Sequence, residues 1–380
     1  MLLNRERTLS YMEKNDVDVL IAHTPENVFY TSDVFNGSQW LNYYNSDMYV
    51  AIPRDPEVEP WMILPASAGG RTWIKDLRTY GPPTYTLKNK EEMVVPFEDA
   101  EYIGRDAEPS DILGGTLEEK GLAEKRIVFD ELSLPLHRKL SGRLPKATVS
   151  MSGSIFRAIR MVKTEEEVER LTRVVKITEE ALRVMFETVR PGVAVREISD
   201  AIKQTAIQES AVPELLIPLG GPNLQGGDYT LKNGDLFFAD IGLRHQGYLS
   251  DFGRTAFIGT PSRQIEQYYD AVLKGEEEAI KAMKPGVKAS EIFKIAVETV
   301  RDEGIPHYSR GACGHGIGAG FDLPLIGPGD DTPLEENMVL EVETPYREMG
   351  FGGFMLEDTI IVKRGGARFL TEIDRDLRVI

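Results

Sequence analysis

The last third of the chain places four acidic residues and one histidine on stretches whose other residues are mostly apolar or glycine. These residues are Asp240, Asp251, His315, Glu343 and Glu357. A carboxylate is costly to bury unless it is paired or binds a metal. Four carboxylates with one imidazole are therefore most economically explained by a metal site, and the fold must bring the five positions together.

The chemistry of this set narrows the choice of metal. It is rich in oxygen, has no thiolate, and suits Mn, Co, Fe(II) or Zn rather than a structural zinc site built from cysteines. Five protein ligands are more than one ion usually takes. The set therefore predicts two divalent metal ions that lie about 3.5–4 Å apart and share a hydroxide.

Four residues of the set also have an ordinary structural interpretation. Asp240 and Asp251 could cap turns, where aspartate is common, and His315 could be a turn residue between glycines. Glu343 could lie on a solvated strand face. Glu341 shares that face by the period of two, so an exposed position and a supporting carboxylate are both open for it. We favour metal binding for the set of five.

Short motifs surround these residues in a fixed order. They are Asp240-Ile-Gly, Ser250-Asp251-Phe-Gly-Arg254-Thr255, Gly314-His315-Gly316-Ile317-Gly318, Glu343-Thr-Pro-Tyr346 and Glu357-Asp358. Ten residues separate the two aspartates and thirteen the two glutamates. This order and spacing resemble the pita-bread metallopeptidase family, which includes Xaa-Pro aminopeptidases, prolidases, methionine aminopeptidases and creatinase. Segments 27–32 and 160–167 also resemble the openings of that family's two domains, so the resemblance covers nearly the whole chain.

The resemblance implies an α/β (α+β) fold. A small N-terminal α/β domain of the creatinase/prolidase type would span residues 1–155, and a C-terminal pita-bread catalytic domain would span residues 156–380. Alternating strands and helices before residue 150 independently favour an α/β domain at the start. Amphipathic patterns and caps predict helices over 4–14, 164–188 (opened by a capping box), 194–209, 264–283 and 289–303.

The implied activity is that of a dinuclear-metal-dependent hydrolase similar to prolidase and aminopeptidase P. Such an enzyme cleaves an amide or peptide bond in a small substrate through a metal-bridging hydroxide. The five residues of the metal site would be the ligands. His315 and Glu343 would act in catalysis, and Glu343 would carry a proton from water to the leaving nitrogen.

Five further residues are candidates for contacts with the ligands or the substrate: Glu341, Asp322, Tyr248, Arg254 and His307. Alternatives stay open for three of them. Arg254 could make an ion pair that orients the ligands, Tyr248 could be a packed core aromatic, and His307 could be a loop residue.

The chain departs from the family where the family contacts its substrate. The stretch 221–229 lacks the histidine that usually follows a proline there, and Phe321 and Asp322 stand where a second histidine is usual. Met355 replaces a usual arginine and Glu341 a usual threonine. These changes leave two alternatives: a non-peptidase of the same fold, similar to creatinase, ectoine hydrolase or dimethylsulfoniopropionate lyase, and an inert binding module. Retention of all five ligands disfavours the binding module.

Composition limits the partners. The 380-residue chain carries a net charge of −17, which disfavours nucleic acid and anionic membranes as partners. One cysteine excludes an internal disulfide framework, and together with the lack of a signal peptide it predicts a cytoplasmic protein. The resemblance implies a homodimer in which the N-terminal domain of one subunit walls the other's site. Trp40, Tyr43 and Tyr44 are candidates for that wall.

Overall fold

The computed structural model describes residues 1–35, 47–82 and 100–380. It divides the chain into two compact units, residues 1–160 and 161–380; the sequence placed this boundary after residue 155. Trp40, Tyr43 and Tyr44, the aromatic residues predicted to wall a partner's site, lie outside the described residues. Within the described parts, no helix is both long enough and apolar enough to cross a membrane.

The first unit is built around a seven-stranded sheet with the strand order β5-β4-β3-β2-β1-β6-β7. Its strands are β1 (Val19–Ala22), β2 (Tyr49–Pro53), β3 (Trp61–Pro65), β4 (Asp76–Tyr80), β5 (Glu101–Gly104), β6 (Arg126–Phe129) and β7 (Thr148–Met151). Its helices are α1 (Arg5–Lys14), α2 (Pro25–Ser32), α3 (Pro109–Glu119), α4 (Leu134–Arg143) and α5 (Gly153–Arg160).

The central strands of this sheet are covered on both faces. Every residue of β1, β2 and β3 is buried. This explains why these strands read as continuous apolar runs rather than as alternating patterns. One face packs against Leu113 and Leu117 of α3 and Leu140 of α4. The predicted N-terminal α/β domain is therefore confirmed.

The second unit contains two five-stranded sheets, each accompanied by a pair of helices. The first sheet consists of β8 (Val212–Gly220), β9 (Leu236–His245), β10 (Tyr248–Leu249), β11 (Phe252–Phe257) and β19 (Arg378–Val379). The second has β12 (Gly314–Ile317), β13 (Phe321–Leu325), β14 (Val339–Glu343), β17 (Glu357–Lys363) and β18 (Gly366–Phe369), and β15 (Tyr346–Glu348) pairs separately with β16 (Gly352–Phe354). The helices are α6 (Glu165–Thr188), α7 (Val195–Gln208), α8 (Arg263–Ala282) and α9 (Ala289–Asp302).

The helix predictions are confirmed to within one or two residues at each end. The predicted capping box opens α6: Thr164 Oγ1 accepts a hydrogen bond from the Glu167 amide at 3.3 Å, and the Thr164 amide donates to Glu167 Oε2 at 2.8 Å. Two amide groups that the helix leaves unpaired are thereby satisfied. The capping box therefore fixes where α6, the first helix of the second unit, begins.

Replacing Thr164 with alanine should remove this cap. We expect Thr164→Ala to lower the free energy of unfolding by about 1 kcal/mol, because one amide at the helix start loses its acceptor. The measurement is urea denaturation followed by circular dichroism. Thr172→Ala is the matched control, because Thr172 lies inside the same helix and its hydroxyl donates to the Val168 carbonyl at 2.7 Å. Equal losses in both variants would contradict a capping role.

Candidate metal centre

Strands β9 and β11 bring the two aspartates together. Asp240 lies within β9 and Asp251 comes directly before β11. The strands are antiparallel neighbours, and Gly253 is the residue opposite Asp240. A Cβ at Gly253 would lie 2.3 Å from the Ala239 carbonyl oxygen and 2.6 Å from Met355 Cγ. Only glycine allows the backbones to approach this closely beside the site.

The second sheet supplies the other three candidate ligands. His315 lies on β12, Glu343 ends β14, and Glu357 begins β17. Antiparallel pairing places Glu343 opposite Glu357 and His315 opposite Glu341. Strands β12, β14 and β17 therefore place His315, Glu343 and Glu357 near one another in the same sheet.

Three of these side chains have donor atoms close enough to share an ion. One atom each from Asp251, His315 and Glu357 lies within 4.8 Å of the other two. His315 Nε2 lies 3.7 Å from Asp251 Oδ2. The His315 Nδ1 atom donates to the Gly316 carbonyl at 3.1 Å, so the neutral ring presents its Nε2 lone pair to the cluster.

The carboxylates are poorly satisfied by the protein itself. Among the described residues, Oδ1 of Asp240 and Oδ1 of Asp251 are buried without a hydrogen-bond partner. Burial, followed by the charges of Asp251 and Glu343, raises the pKa of Asp240 to about 8. Burial and the charge of Asp251 raise the pKa of Glu357 well above its usual range. Buried oxygens without donors, set among like charges, fit hard divalent cations.

The pKa of the His315 imidazole is set by opposing influences, unlike the pKa values of the carboxylates. Burial, the largest influence, lowers the pKa of His315, but the neighbouring Asp251 carboxylate raises it, and the net shift is upward. Phe321 packs edge-on against the imidazole with the ring centroids 4.8 Å apart, while keeping about half of its own surface exposed. The aromatic ring therefore shields one side of the histidine and still faces solvent.

Arg254 lies beneath the site, where it is fully buried. Its Nη1 donates to the Glu357 carbonyl at 2.6 Å, and its Nη2 pairs with Asp358 Oδ1 at 2.6 Å. The guanidinium therefore holds the start of β17, from which Glu357 projects. Arg254 therefore makes an ion pair beside a candidate ligand, which was one of the interpretations left open by the sequence.

Glu341 is also fully buried, so the exposed strand face left open by the sequence does not apply to it. Its Oε1 accepts hydrogen bonds from Thr359 Oγ1 at 3.0 Å and from the Asp251 amide at 3.3 Å. Burial, followed by the charge of Asp251, raises the pKa of Glu341 well above its usual range. The carboxyl group thus braces the backbone that presents Asp251.

Asp322 and Tyr248 face a separate buried cluster. Asp322 Oδ2 pairs with Lys163 Nζ at 3.0 Å, and both side chains are fully buried. The Tyr248 hydroxyl donates to Glu167 Oε1 at 3.1 Å. Burial is the main cause that raises the pKa of Glu167 to about 7. Phe321 and Asp322 stand where a second histidine is usual. Asp322 pairs with Lys163, whereas Phe321 contacts His315.

His307 is placed by a tyrosine of the second sheet's neighbouring hairpin. Its Nε2 lies 2.9 Å from the Tyr346 hydroxyl, and that hydroxyl also donates to Glu348 Oε2. Since Tyr346 donates to the carboxylate, it accepts from His307, whose Nε2 then carries the hydrogen. His307 therefore contacts Tyr346, which follows Glu343 by three residues, and this hydrogen bond is not to a candidate ligand.

Two arginines at the site were not selected from the sequence. Arg310 Nη2 lies 3.0 Å from Glu343 Oε1, and Arg347 Nη2 lies 3.7 Å from Asp240 Oδ2. Both side chains are partly exposed. Their positions, five residues before His315 and four after Glu343, belong to none of the motifs. Only the folded structure places them against the ligands.

Comparisons with known proteins agree with this architecture. The model of metallopeptidase family M24 matches residues 169–364, and that of the creatinase/prolidase N-terminal domain matches residues 5–162. The chain is 32% identical over 261 residues to a Xaa-Pro dipeptidase of Lactobacillus helveticus, covering 66% of this chain and 71% of that one. It is 25% identical over 384 residues to a Xaa-Pro dipeptidase of Pyrococcus furiosus, covering 98% of each.

Solved structures give the same result for the fold. The crystal structure of an X-Pro aminopeptidase from Thermotoga maritima matches with a TM-score of 0.75 and 25% identity over 99% of both chains. The prolidase from Pyrococcus horikoshii matches with a TM-score of 0.76 and 23% identity over 98% of this chain and 99% of that one. The predicted combination of a creatinase/prolidase N-terminal domain and a pita-bread domain is confirmed.

Replacing Asp240 with asparagine tests the cost of holding a buried charge beside other carboxylates in the metal-free protein. The folded pKa of about 8 exceeds the value of about 3.9 for an unfolded aspartate, so the native state binds the proton more tightly. The stability linked to that proton is complete below about pH 4, falls as the pH rises, and is lost above about pH 8. We therefore expect the melting temperature of Asp240→Asn, relative to wild type, to rise steadily across this window.

Both proteins would be stripped of metal with a chelator and melted at a series of pH values. Asp270→Asn, at an exposed position of α8, is the matched control and should show no such trend. Restoring Mn²⁺ should stabilise the wild type more than Asp240→Asn. A melting difference between Asp240→Asn and wild type that stays constant or shrinks with rising pH would rule out a raised pKa of Asp240.

Proposed function

Because the chain belongs to metallopeptidase family M24, we propose that it hydrolyses the peptide bond of Xaa-Pro dipeptides with two divalent metal ions. Its activity as a metal-dependent peptidase follows from the family and from its Xaa-Pro dipeptidase relatives. The preference for proline and the use of dipeptides are the proposed refinements. The named activities of the relatives support both.

One observation carries the proposal. Donor atoms of Asp251, His315 and Glu357 meet within 4.8 Å, beside buried aspartate oxygens that have no hydrogen-bond donor among the described residues. A cluster of this kind costs stability unless a cation compensates it. The residues that would hold the ions are Asp240, Asp251, His315, Glu343 and Glu357.

When bound, such ions activate water as a nucleophile and polarise the scissile carbonyl. The chain's own residues would do the rest. Glu343 keeps 16% of its side chain exposed, so its carboxylate can accept the proton from water and deliver it to the leaving nitrogen. Arg310 orients that carboxylate at 3.0 Å, and Phe321 excludes water from one side of His315.

A second candidate is a non-peptidase of the same fold, similar to creatinase, ectoine hydrolase or dimethylsulfoniopropionate lyase, that acts on a small metabolite. It is favoured by the altered substrate positions, since Met355 and Glu341 replace residues that the peptidases usually carry. Both are buried here, next to the ligands rather than in open solvent. A substrate panel therefore has to include non-peptide amides.

We also propose the finer properties of the protein. The ions are Mn, Co, Fe or Zn, with manganese favoured by the oxygen-rich set. The chain acts as a homodimer, as the family resemblance implies. A cytoplasmic location is supported by the single cysteine.

Metal content and hydrolysis, measured on the same preparations, test the function. We expect about two ions per chain after reconstitution, and cleavage of Xaa-Pro dipeptides in preference to Xaa-Ala dipeptides. Loss of a residue that only supports a metal ligand typically lowers activity about 10–100-fold. We expect Glu357→Gln to lower activity by more than this and to lose part of the bound metal. Glu298→Gln, an exposed glutamate on α9, is the matched control.

The outcomes separate the candidates. A fully metal-loaded protein that cleaves no dipeptide but cleaves a non-peptide amide would favour the second candidate. Retention of no ion under any reconstitution condition would overturn the metallohydrolase. Unchanged activity in Glu357→Gln would show that the proposed ligand set is incorrect.

A further inference from the structure

We propose that Lys163 is a positioning residue of the candidate metal centre. Through its ion pair with Asp322, it fixes strand β13 and so holds the Phe321 ring against His315. The expected effect on turnover rests on the proposed function, because that function makes His315 a metal ligand. The position of the ring does not depend on that function, and it can be measured separately.

The ion pair joins strand β13 to the start of helix α6. Lys163 Nζ lies 3.0 Å from Asp322 Oδ2, and both side chains are fully buried. The backbone of Lys163 is itself fixed, because its amide donates to the Asn337 carbonyl at 3.0 Å and the next residue, Thr164, caps α6. The lysine therefore extends its charge from an anchored backbone, and the position of that charge determines where the Asp322 carboxylate lies.

Burial makes this pair hard to separate. Removing one partner of a buried ion pair leaves the other charge uncompensated, which costs far more than the loss of an ion pair at the surface. Glu167 is a second carboxylate nearby: burial raises its pKa to about 7, while the Lys163 charge lowers this pKa and the Asp322 charge raises it. Loss of Lys163 would therefore remove the cation that both carboxylates face, whereas loss of Asp322 would leave Lys163 near Glu167.

The geometry of β13 passes this constraint on to Phe321. Strand β13 pairs with β12, the strand that carries His315. Neighbouring residues of a strand point to opposite faces, so a strand that turns Asp322 toward Lys163 turns Phe321 the other way. On that other face the Phe321 ring packs edge-on against His315, with the ring centroids 4.8 Å apart. Fixing Asp322 therefore fixes the ring that shields the histidine.

The last glycine of the segment that carries His315 makes room for the pair. A Cβ at Gly318 would lie 2.7 Å from Asp322 Oδ2 and 3.2 Å from Lys163 Cε. The first distance is too short for a real side chain, so a larger residue at position 318 would displace the carboxylate. The segment that supplies the candidate ligand therefore also accommodates the ion pair that supports its surroundings.

The ion pair also gives a role to a position that departs from the related peptidases. Asp322 stands where they usually carry a second histidine. Its side chain is fully buried against Lys163, so it does not present a group to a substrate in place of that histidine. The aspartate acts instead on its neighbour in the strand, by holding Phe321 in place.

The first test measures turnover after loss of one partner. Wild type, Lys163→Met and Asp322→Val would be assayed with Ala-Pro at equal metal content. We expect Lys163→Met to lower kcat about 10–100-fold, the loss typical when the support of a metal ligand is removed, with KM nearly unchanged. Asp322→Val should lose less, because Lys163 keeps Glu167 as a neighbouring carboxylate. Lys288→Met, which loses an exposed ion pair with Asp331, is the matched control and should behave as wild type.

The double variant Lys163→Met/Asp322→Val separates positioning from direct chemistry. It removes both charges and leaves apolar side chains in their place. Replacement of a buried ion pair by apolar residues is often neutral, whereas removal of one partner is costly. We therefore expect the double variant to regain the wild-type kcat to within about threefold. If either charge acted on the substrate directly, the double variant would stay as slow as the single variants.

Fluorescence gives a readout that does not depend on turnover. Phe321→Trp places a tryptophan at the position of the ring, and subtraction of the parent chain's signal removes the emission of the three native tryptophans. Combined with Lys163→Met, this tryptophan should be quenched more strongly by acrylamide, because the ring no longer packs on His315. Combined with the double variant, it should be quenched as in Phe321→Trp alone.

The outcomes distinguish this inference from the function on which it rests. If wild type cleaves no dipeptide, the proposed function fails, and the quenching experiment alone decides the role of the pair. A folded, metal-loaded Lys163→Met with wild-type kcat and unchanged quenching overturns the inference, because the pair is then purely structural. A change confined to KM, or a double variant as slow as the single variants, likewise overturns it. If Lys163→Met does not fold, Asp322→Val and the double variant provide the same comparison.

Discussion

Electrostatic repulsion among buried carboxylates is the constraint on which the second unit of this protein depends. Asp240, Asp251 and Glu357 come from two sheets. Donor atoms of Asp251 and Glu357 lie within 4.8 Å of each other, and one oxygen each of Asp240 and Asp251 is buried without a hydrogen-bond partner among the described residues. In the metal-free chain, burial and then the neighbouring charges raise the pKa values of Asp240 and Glu357, so protonation relieves the repulsion. A divalent cation relieves it while leaving the carboxylates charged, which is the form that supports catalysis.

The surrounding structure holds the candidate ligands in place against this repulsion. Arg254 connects the carbonyl of Glu357 to Asp358, and Asp358 also accepts a hydrogen bond from Arg375 at 2.9 Å. Arg375 pairs in turn with the fully buried Glu276 of α8. The C-terminal segment therefore supports the candidate metal centre, because Arg375 joins helix α8 to the strand that begins with the candidate ligand Glu357.

Several features of the site could be predicted because they depend on local chemistry. The helix that starts after Thr164 follows from a cap and an amphipathic pattern, which act within a few residues. The candidate ligands stand out because an acidic residue is unusual in an apolar strand such as Leu236–His245. Asp322 shows the limit of such reasoning. Its type suggested a substrate contact, but its partner is Lys163, 159 residues away in sequence.

The sequence by itself determined the order of the candidate ligands and the class of metal they suit, because residue type and spacing carry that information. The two-domain architecture followed from the resemblance of its motifs to a known family. Only the tertiary structure decided which charges face one another. It buried Glu341 against the Asp251 amide, and it placed Arg310 on Glu343 and Arg347 beside Asp240. These contacts join separate strands and loops, and the pairing and packing of those strands, rather than any motif, fix the distance between the charges.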